Sequence, residues 1–200
     1  MGLSEEENQM KFGVTFDYLC PFAWNAHEAV LAGLAGGRPW KVDFLAFSLA
    51  QAHTSEDDPA VWYNPAGQSG LDALQWGVAI RDHWPELFGK AHSALFAARH
   101  QHGLDLKDTQ VLADAVSSAG CDPDEVAKVV STGEPLCKIA GEHMMAVDQW
   151  MAFGVPTFIT GDQAVFIRFM ERGRLDDLDR ALQLLSWNRL NEYKHTTIPR

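Results

Sequence analysis

The run Phe16-Asp17-Tyr18-Leu19-Cys20-Pro21-Phe22-Ala23-Trp24 decides how this chain is read. Leading into it, Phe12 to Tyr18 alternates and is rich in β-forming residues, which predicts a strand. Beyond it, Pro21 suits the first turn of a helix, where its missing N–H costs nothing. Phe22, Ala26, Val30 and Leu34 then continue at helical spacing, and Gly36-Gly37 ends the helix. Cys20 therefore stands at a strand–helix junction. A thiol at a helix N-terminus is expected to be acidified, because the partial positive charge there favours thiolate. Cys-x-x-Cys motifs use this arrangement, yet Ala23 occupies the place of the second cysteine.

Working outward, Trp40 to Phe47 predicts a second strand with apolar residues on both faces, hence one buried within a sheet. From Ser48 to about Phe153 no strand pattern appears, and the segment is too long for a loop. Leu71, Leu74, Val78 and Arg81 mark one helix, and Pro85 opens another that runs to His102. Asp108 caps a third, with Val111, Leu112 and Val116 inward. Asp122-Pro123-Asp124-Glu125 has the form of a capping box. Leu136, Ile139, His143, Val147 and Trp150 mark the last helix of the segment. Val155 to Thr160 and Gln163 to Phe169 then predict a hairpin about Gly161-Asp162, and Leu175, Leu178, Leu182 and Leu185 a closing amphipathic helix. The expected class is α/β, a thioredoxin fold with a large all-helical insertion between its β-α-β and β-β-α halves. The expected domains are a thioredoxin-fold domain over 10–47 and 153–187 and a helical subdomain over 48–152, with tails at 1–9 and 188–200.

Bulk properties narrow the function classes. A chain of 200 residues suits one domain or one domain with an insertion. Its net charge of −11 and scattered basic residues argue against nucleic acid as a partner. No apolar run approaches the roughly 18 residues of a membrane span, and acidic, polar Met1 to Asn8 does not read as a secretory signal. Three cysteines are too few for a disulfide scaffold, so a cytoplasmic location is expected. Cys121 and Cys137 read as ordinary packed residues. The eight histidines form no His-Glu-x-x-His motif or ligand cluster, so no metal is expected. Ser48 and Ser93 lack the context of a serine nucleophile.

Gly154-Val155-Pro156-Thr157-Phe158 supplies a second signature. A proline before the third strand of this fold is expected to be cis and to turn the Val155 backbone toward Cys20. The chain resembles the DsbA family of thioredoxin-fold oxidoreductases, in the cytoplasmic branch with mycothiol-dependent relatives, kappa-class glutathione transferases and 2-hydroxychromene-2-carboxylate isomerases. Four stretches carry the resemblance. They are Phe16 to Phe22, Phe47-Ser48-Leu49, Leu95 to His100 with Gly103-Leu104-Asp105, and Gly154 to Phe158.

The resemblance implies a thiol–disulfide oxidoreductase with Cys20 as nucleophile. Pro21, Phe22, Ala23, Trp24, Val155, Pro156 and Thr157 would line the site for a small-molecule thiol or disulfide. Ala23 departs from the dithiol pattern: Cys20 can attack a disulfide but lacks an internal partner to release it. An external low-molecular-weight thiol, mycothiol or glutathione, would then take that part. The alternatives are a thiol-dependent transferase or isomerase, and a non-catalytic module that binds an extended peptide at the Val155 edge. Phe22, Trp24, Tyr18 and Trp150 either wall an apolar pocket or pack the core. Arg99, His100 and Arg168 either bind carboxylates of a thiol cofactor or face solvent. Asp17 either carries a proton for Cys20 or is a hydrogen-bonded strand-end residue. A homodimer is left open.

Overall fold

A computed structural model describes residues 9–55, 57–68, 70–187 and 189. The two tails expected at the termini fall almost wholly outside them. Strand β1 (Met10–Phe16) leads into helix α1 (Pro21–Ala35) and strand β2 (Trp40–Ala46). Six helices follow: α2 (Leu49–Ala52), α3 (Leu71–His83), α4 (Pro85–His100), α5 (Thr109–Ser118), α6 (Pro123–Ser131) and α7 (Glu134–Trp150). The hairpin β3 (Thr157–Thr160) and β4 (Gln163–Phe166) and helix α8 (Leu175–Leu184) complete the order. This is the α/β thioredoxin order with an all-helical insertion.

The sheet runs β2-β1-β3-β4, with β1 parallel to β2 and both later pairs antiparallel. β2 is thus an edge strand, not an interior one. Its apolar residues on both faces mislead because side chains from the inserted helices cover the Phe44–Ala46 end of its free edge. The Arg81 guanidinium donates to the Phe44 carbonyl at 2.6 Å, and the Ala46 N–H donates to Glu142 at 2.7 Å. Arg81 and Glu142 also pair with each other through two contacts of 2.7 and 2.8 Å. A covered edge offers no ladder to a stray strand.

Local chemistry explains the element ends. Pro21 occupies the first turn of α1, and Gly37, at φ +77°, follows its end as a left-handed stop. Asp108 and Asp122 cap α5 and α6 by accepting the N–H groups two residues on. Glu125, however, pairs with Lys128 on the solvent side, so the capping box forms by half. Val147, one of the residues that mark this helix in the sequence, faces solvent because α7 turns its Ile139, Glu142, His143 and Ala146 side to the protein.

Two apolar clusters hold the layers together. Phe12, Val14 and Phe158 of the sheet pack on Ala26, Ala29 and Val30 of α1 and on Leu178 and Leu182 of α8. Phe16, Tyr18, Cys20, Ala23 and Phe47 join the second cluster with Leu74, Phe96, Leu112, Ile139 and Val155. Cys20 therefore sits where the sheet end meets the inserted helices.

Candidate active site

Cys20 is the N-cap residue of α1, extended at φ −97° and ψ 114°, with no side-chain cap of its own. The thiol is almost fully covered, at 9% exposure. The peptide bond Val155-Pro156 is cis, and the Cys20 thiol donates to the Val155 carbonyl at 3.3 Å. The two motifs, 135 residues apart in sequence, thus meet at one hydrogen bond.

The thiol is not acidified as its helix position suggests. Burial pushes its pKa up from 9.0, and the charge of Asp17 adds to that. The Phe22 and Ala23 N–H groups and the Arg168 charge pull it down without overcoming burial. Desolvation of a thiolate outweighs the helix end here because the sulfur is closed under the Val155 loop.

Asp17 is fully buried. Its carboxylate accepts the Leu19 N–H at 2.9 Å and the Leu49 N–H at 2.8 Å. The second bond gives Phe47-Ser48-Leu49 a physical role, as the strand-end loop that holds the acid. Burial nevertheless lifts the Asp17 pKa to about 6, above what its two N–H bonds can offset.

Tyr18 belongs to the core, not to an exposed pocket wall. It begins a buried chain that no spacing rule singled out. The Tyr18 hydroxyl meets His92 Nδ1 at 2.8 Å, His92 Nε2 meets His27 Nδ1 at 2.9 Å, and His27 Nε2 meets the Thr15 carbonyl at 3.0 Å. The carbonyl can only accept, so His27 donates from Nε2 and accepts at Nδ1. His92 must then donate from Nε2, and Tyr18 donates to His92. The whole chain is neutral and runs one way. Burial holds His27 down at about 4 and His92 well below its ordinary value, while the Tyr18 phenol is pushed up. The only sequence trace was two histidines among the buried positions of α1 and α4.

Ala23 is wholly buried, and Phe22 and Trp24 are half-buried beside the site. The Trp24 indole stacks on the His100 ring at 5.6 Å and 19°, and the Arg172 guanidinium lies 4.2 Å from the Trp24 ring. Arg168 stands 5.5 Å from the Phe22 ring and 5.9 Å from that of Phe166, which itself packs on exposed Phe153. Arg172 had no sequence signal. The Asn25 side chain ties down its segment, donating to the Phe169 carbonyl at 2.8 Å, while the Gly173 N–H donates to the Asn25 backbone carbonyl at 3.1 Å. His100 donates to the Tyr18 carbonyl at 2.9 Å, and burial lowers its pKa.

Other expected residues lie elsewhere or are already engaged. Trp150 donates to the Gly161 carbonyl at 3.0 Å at the β3–β4 turn. That turn lies by Lys11, five strand residues or about 17 Å from the Cys20 end of β1. Trp150 lines instead an open groove of about 550 Å³ with Lys11, Leu45, Met145 and Ile159. Arg99 is exposed, and its charge bears on His100. The Thr157 N–H donates to Thr15 Oγ1 and its hydroxyl to the Gly154 carbonyl, both at 2.8 Å, bracing the proline loop. All three cysteines are free. Cys121 feels the charge of Glu86, at the far end of α4 from His100 and so about 20 Å from the site. Among the described residues no group of three or more His, Cys, Asp or Glu side chains is placed to hold a metal, and no helix is long and apolar enough to cross a membrane.

Comparison with known proteins agrees with this geometry. The family described as DSBA-like thioredoxin domain matches residues 13–183. No curated protein matches. Among solved structures, a 2-hydroxychromene-2-carboxylate isomerase superposes with a TM-score of 0.62 at 18% identity, over 90% of this chain and 98% of the other. A thioredoxin-like oxidoreductase from Silicibacter pomeroyi gives 0.57 at 19%, over 86% of each chain. The oxidoreductase DsbA from Xylella fastidiosa gives 0.58 at 17%, over 90% and 87%. At such identities these likenesses speak for the fold alone.

Proposed function

Because the chain belongs to the family of DSBA-like thioredoxin domains, we propose that it is a thiol–disulfide oxidoreductase working through Cys20 alone with an external low-molecular-weight thiol. The observation that carries this is the bond between the Cys20 thiol and the Val155 carbonyl beside a cis proline, with alanine in the place of a resolving cysteine. An incoming disulfide takes up the Val155 backbone and frees the sulfur. The thiol proton passes to Asp17, whose pKa of about 6 lies near neutrality. The Phe22 and Ala23 N–H groups and Arg168 favour the resulting thiolate. The sulfur then attacks the disulfide RS–SR, forming Cys20–S–S–R and releasing RS⁻, which takes up a proton. An external thiolate R′S⁻ attacks the mixed disulfide at the R sulfur, forming R′S–SR and returning Cys20 as thiolate. The balance is RS–SR plus R′SH giving RSH plus R′S–SR. The helical subdomain over 48–152 closes the site, and free cysteines suit a reducing compartment such as the cytoplasm.

A second reading has its own observation. The raised Cys20 pKa suits a site in which a bound thiol cofactor supplies the reactive thiolate for transferase or isomerase chemistry, with Cys20 a contact. Turnover of a small disulfide by wild type and Cys20→Ser, with glutathione, mycothiol or bacillithiol as reductant, separates the two. The oxidoreductase reading expects turnover that Cys20→Ser abolishes. Turnover retained by Cys20→Ser defeats it in favour of the second. Absence of turnover and of any thiol-dependent reaction with aromatic electrophiles defeats both.

A further inference from the structure

Given the single-thiol reading on which it rests, we infer that Arg168 and Arg172 form a paired anion subsite that selects carboxylate-bearing thiols and their disulfides over neutral ones. Both arginines come from the short segment between β4 and α8, and both lie against aromatic residues of the cysteine motif. Arg168 stands by the Phe22 and Phe166 rings, and Arg172 lies on Trp24, which also stacks with His100. Neither guanidinium meets a carboxylate within ion-pair distance among the described residues, although the chain carries 27 acidic side chains against 16 Lys and Arg. Neighbouring Arg174, by contrast, is held by both Glu171 and Asp176.

Stacking on a ring engages the face of a guanidinium and leaves its in-plane N–H donors open. It also holds the side chain in place, so less freedom is lost when an anion arrives. Arg168 stands by Phe22, two residues along α1 from Cys20, and its charge bears on the thiol. The Trp24 indole N–H is buried without an acceptor among the described residues. Two guanidinium groups beside the cysteine motif, unmatched by any acid among the described residues, fit a ligand with more than one carboxylate. Glutathione and bacillithiol have this chemistry, whereas mycothiol carries no carboxylate. Asn25 acts as the positioning residue, because its side-chain amide holds the Phe169 carbonyl of the segment that carries both arginines.

Calorimetric titration of the Cys20→Ser protein tests the subsite without turnover. The ligands are glutathione, bacillithiol, mycothiol and the dimethyl ester of glutathione, at low and physiological salt. Glutathione should bind about tenfold more tightly than its ester, the scale of one charge-assisted hydrogen-bond pair at a partly exposed site. Adding Arg168→Gln or Arg172→Gln should erase most of that preference and leave ester binding unchanged. Arg172→Lys, which keeps the charge but loses the fork, should recover part of it. Bacillithiol tracking glutathione makes carboxylates in general the recognised feature, and glutathione alone being preferred narrows it to the peptide. Equal binding of acid and ester overturns the proposal, as does no binding of either. It is likewise overturned if the arginine variants weaken both ligands alike while lowering the unfolding midpoint, for the arginines then only pin the segment to α1. Carboxylate preference in Cys20→Ser beside a wild type that turns over no disulfide leaves the subsite standing and removes the oxidoreductase reading.

Discussion

Cys20 is under opposed influences, and burial outweighs the helix end. The free protein should therefore react with iodoacetamide only as pH rises above the ordinary thiol range, with an inflection above 9. Arg168→Gln should move it higher. An inflection below about 8.5, the value of an unperturbed thiol, contradicts this account of the resting site. Asp17 makes a second prediction. Its pKa of about 6 in the folded protein lies above the ordinary 3.8, so the folded state holds this proton more tightly. Its contribution to stability is full below pH 3.8 and is lost as pH rises through 6. Relative to Asp17→Asn, wild type should lose up to about 3 kcal/mol across that window in urea titrations, the equivalent of roughly two pKa units. Parallel pH profiles for the two proteins would sink the assignment. Cys20 and Pro156 were legible in the sequence because each marks a special backbone position. Arg172, His27 and His92 were not, because tertiary contacts alone give them partners: a loop tied down by Asn25, and a polar chain inside the core.

At the level of elements, helix starts were readable from Pro21, Asp108 and Asp122, since a cap is a local contract between a side chain and nearby N–H groups. The place of β2 in the sheet was not. Strand burial depends on what covers the edge, and the cover comes from Arg81 in α3 and Glu142 in α7, read in the sequence as helix positions only. Two helical glycines give a matched test of packing against propensity. A Cβ at Gly33 in α1 would run into the Trp40 ring, whereas one at Gly141 in α7 meets open space. Gly141→Ala should stabilise the protein by about 0.5–1 kcal/mol through helix propensity. Gly33→Ala should destabilise it by about 1–3 kcal/mol through overpacking, despite the same gain in propensity. Chemical denaturation reads both, and a stabilising Gly33→Ala would mean that α1 and β2 pack less closely than described.

For the whole molecule, three buried histidines govern behaviour in acid. His27 and His143 are held down at about 4, and His92 well below its ordinary value, each chiefly by burial, against an ordinary 6.5. Between 6.5 and 4 the unfolded chain binds protons that the folded one refuses. Stability is therefore full above pH 6.5 and lost as pH falls toward 4, opposite in sign to Asp17. His143 packs on Phe47 at 4.3 Å and leaves its Nδ1 without a partner among the described residues, so His143→Phe should keep the packing and flatten the pH slope by about one proton. An unchanged slope would place the acid sensitivity elsewhere. The central claim concerns how the folded protein handles a disulfide. Wild type treated with glutathione disulfide and then freed of small molecules should carry one glutathione on Cys20 by intact mass and peptide mapping. The adduct should persist until an external thiol is added, be absent from Cys20→Ser, and be unaffected by replacing Cys121 and Cys137 together. An adduct confined to Cys137, or one on Cys20 that clears unaided through a disulfide to another cysteine of the chain, would contradict the single-thiol account.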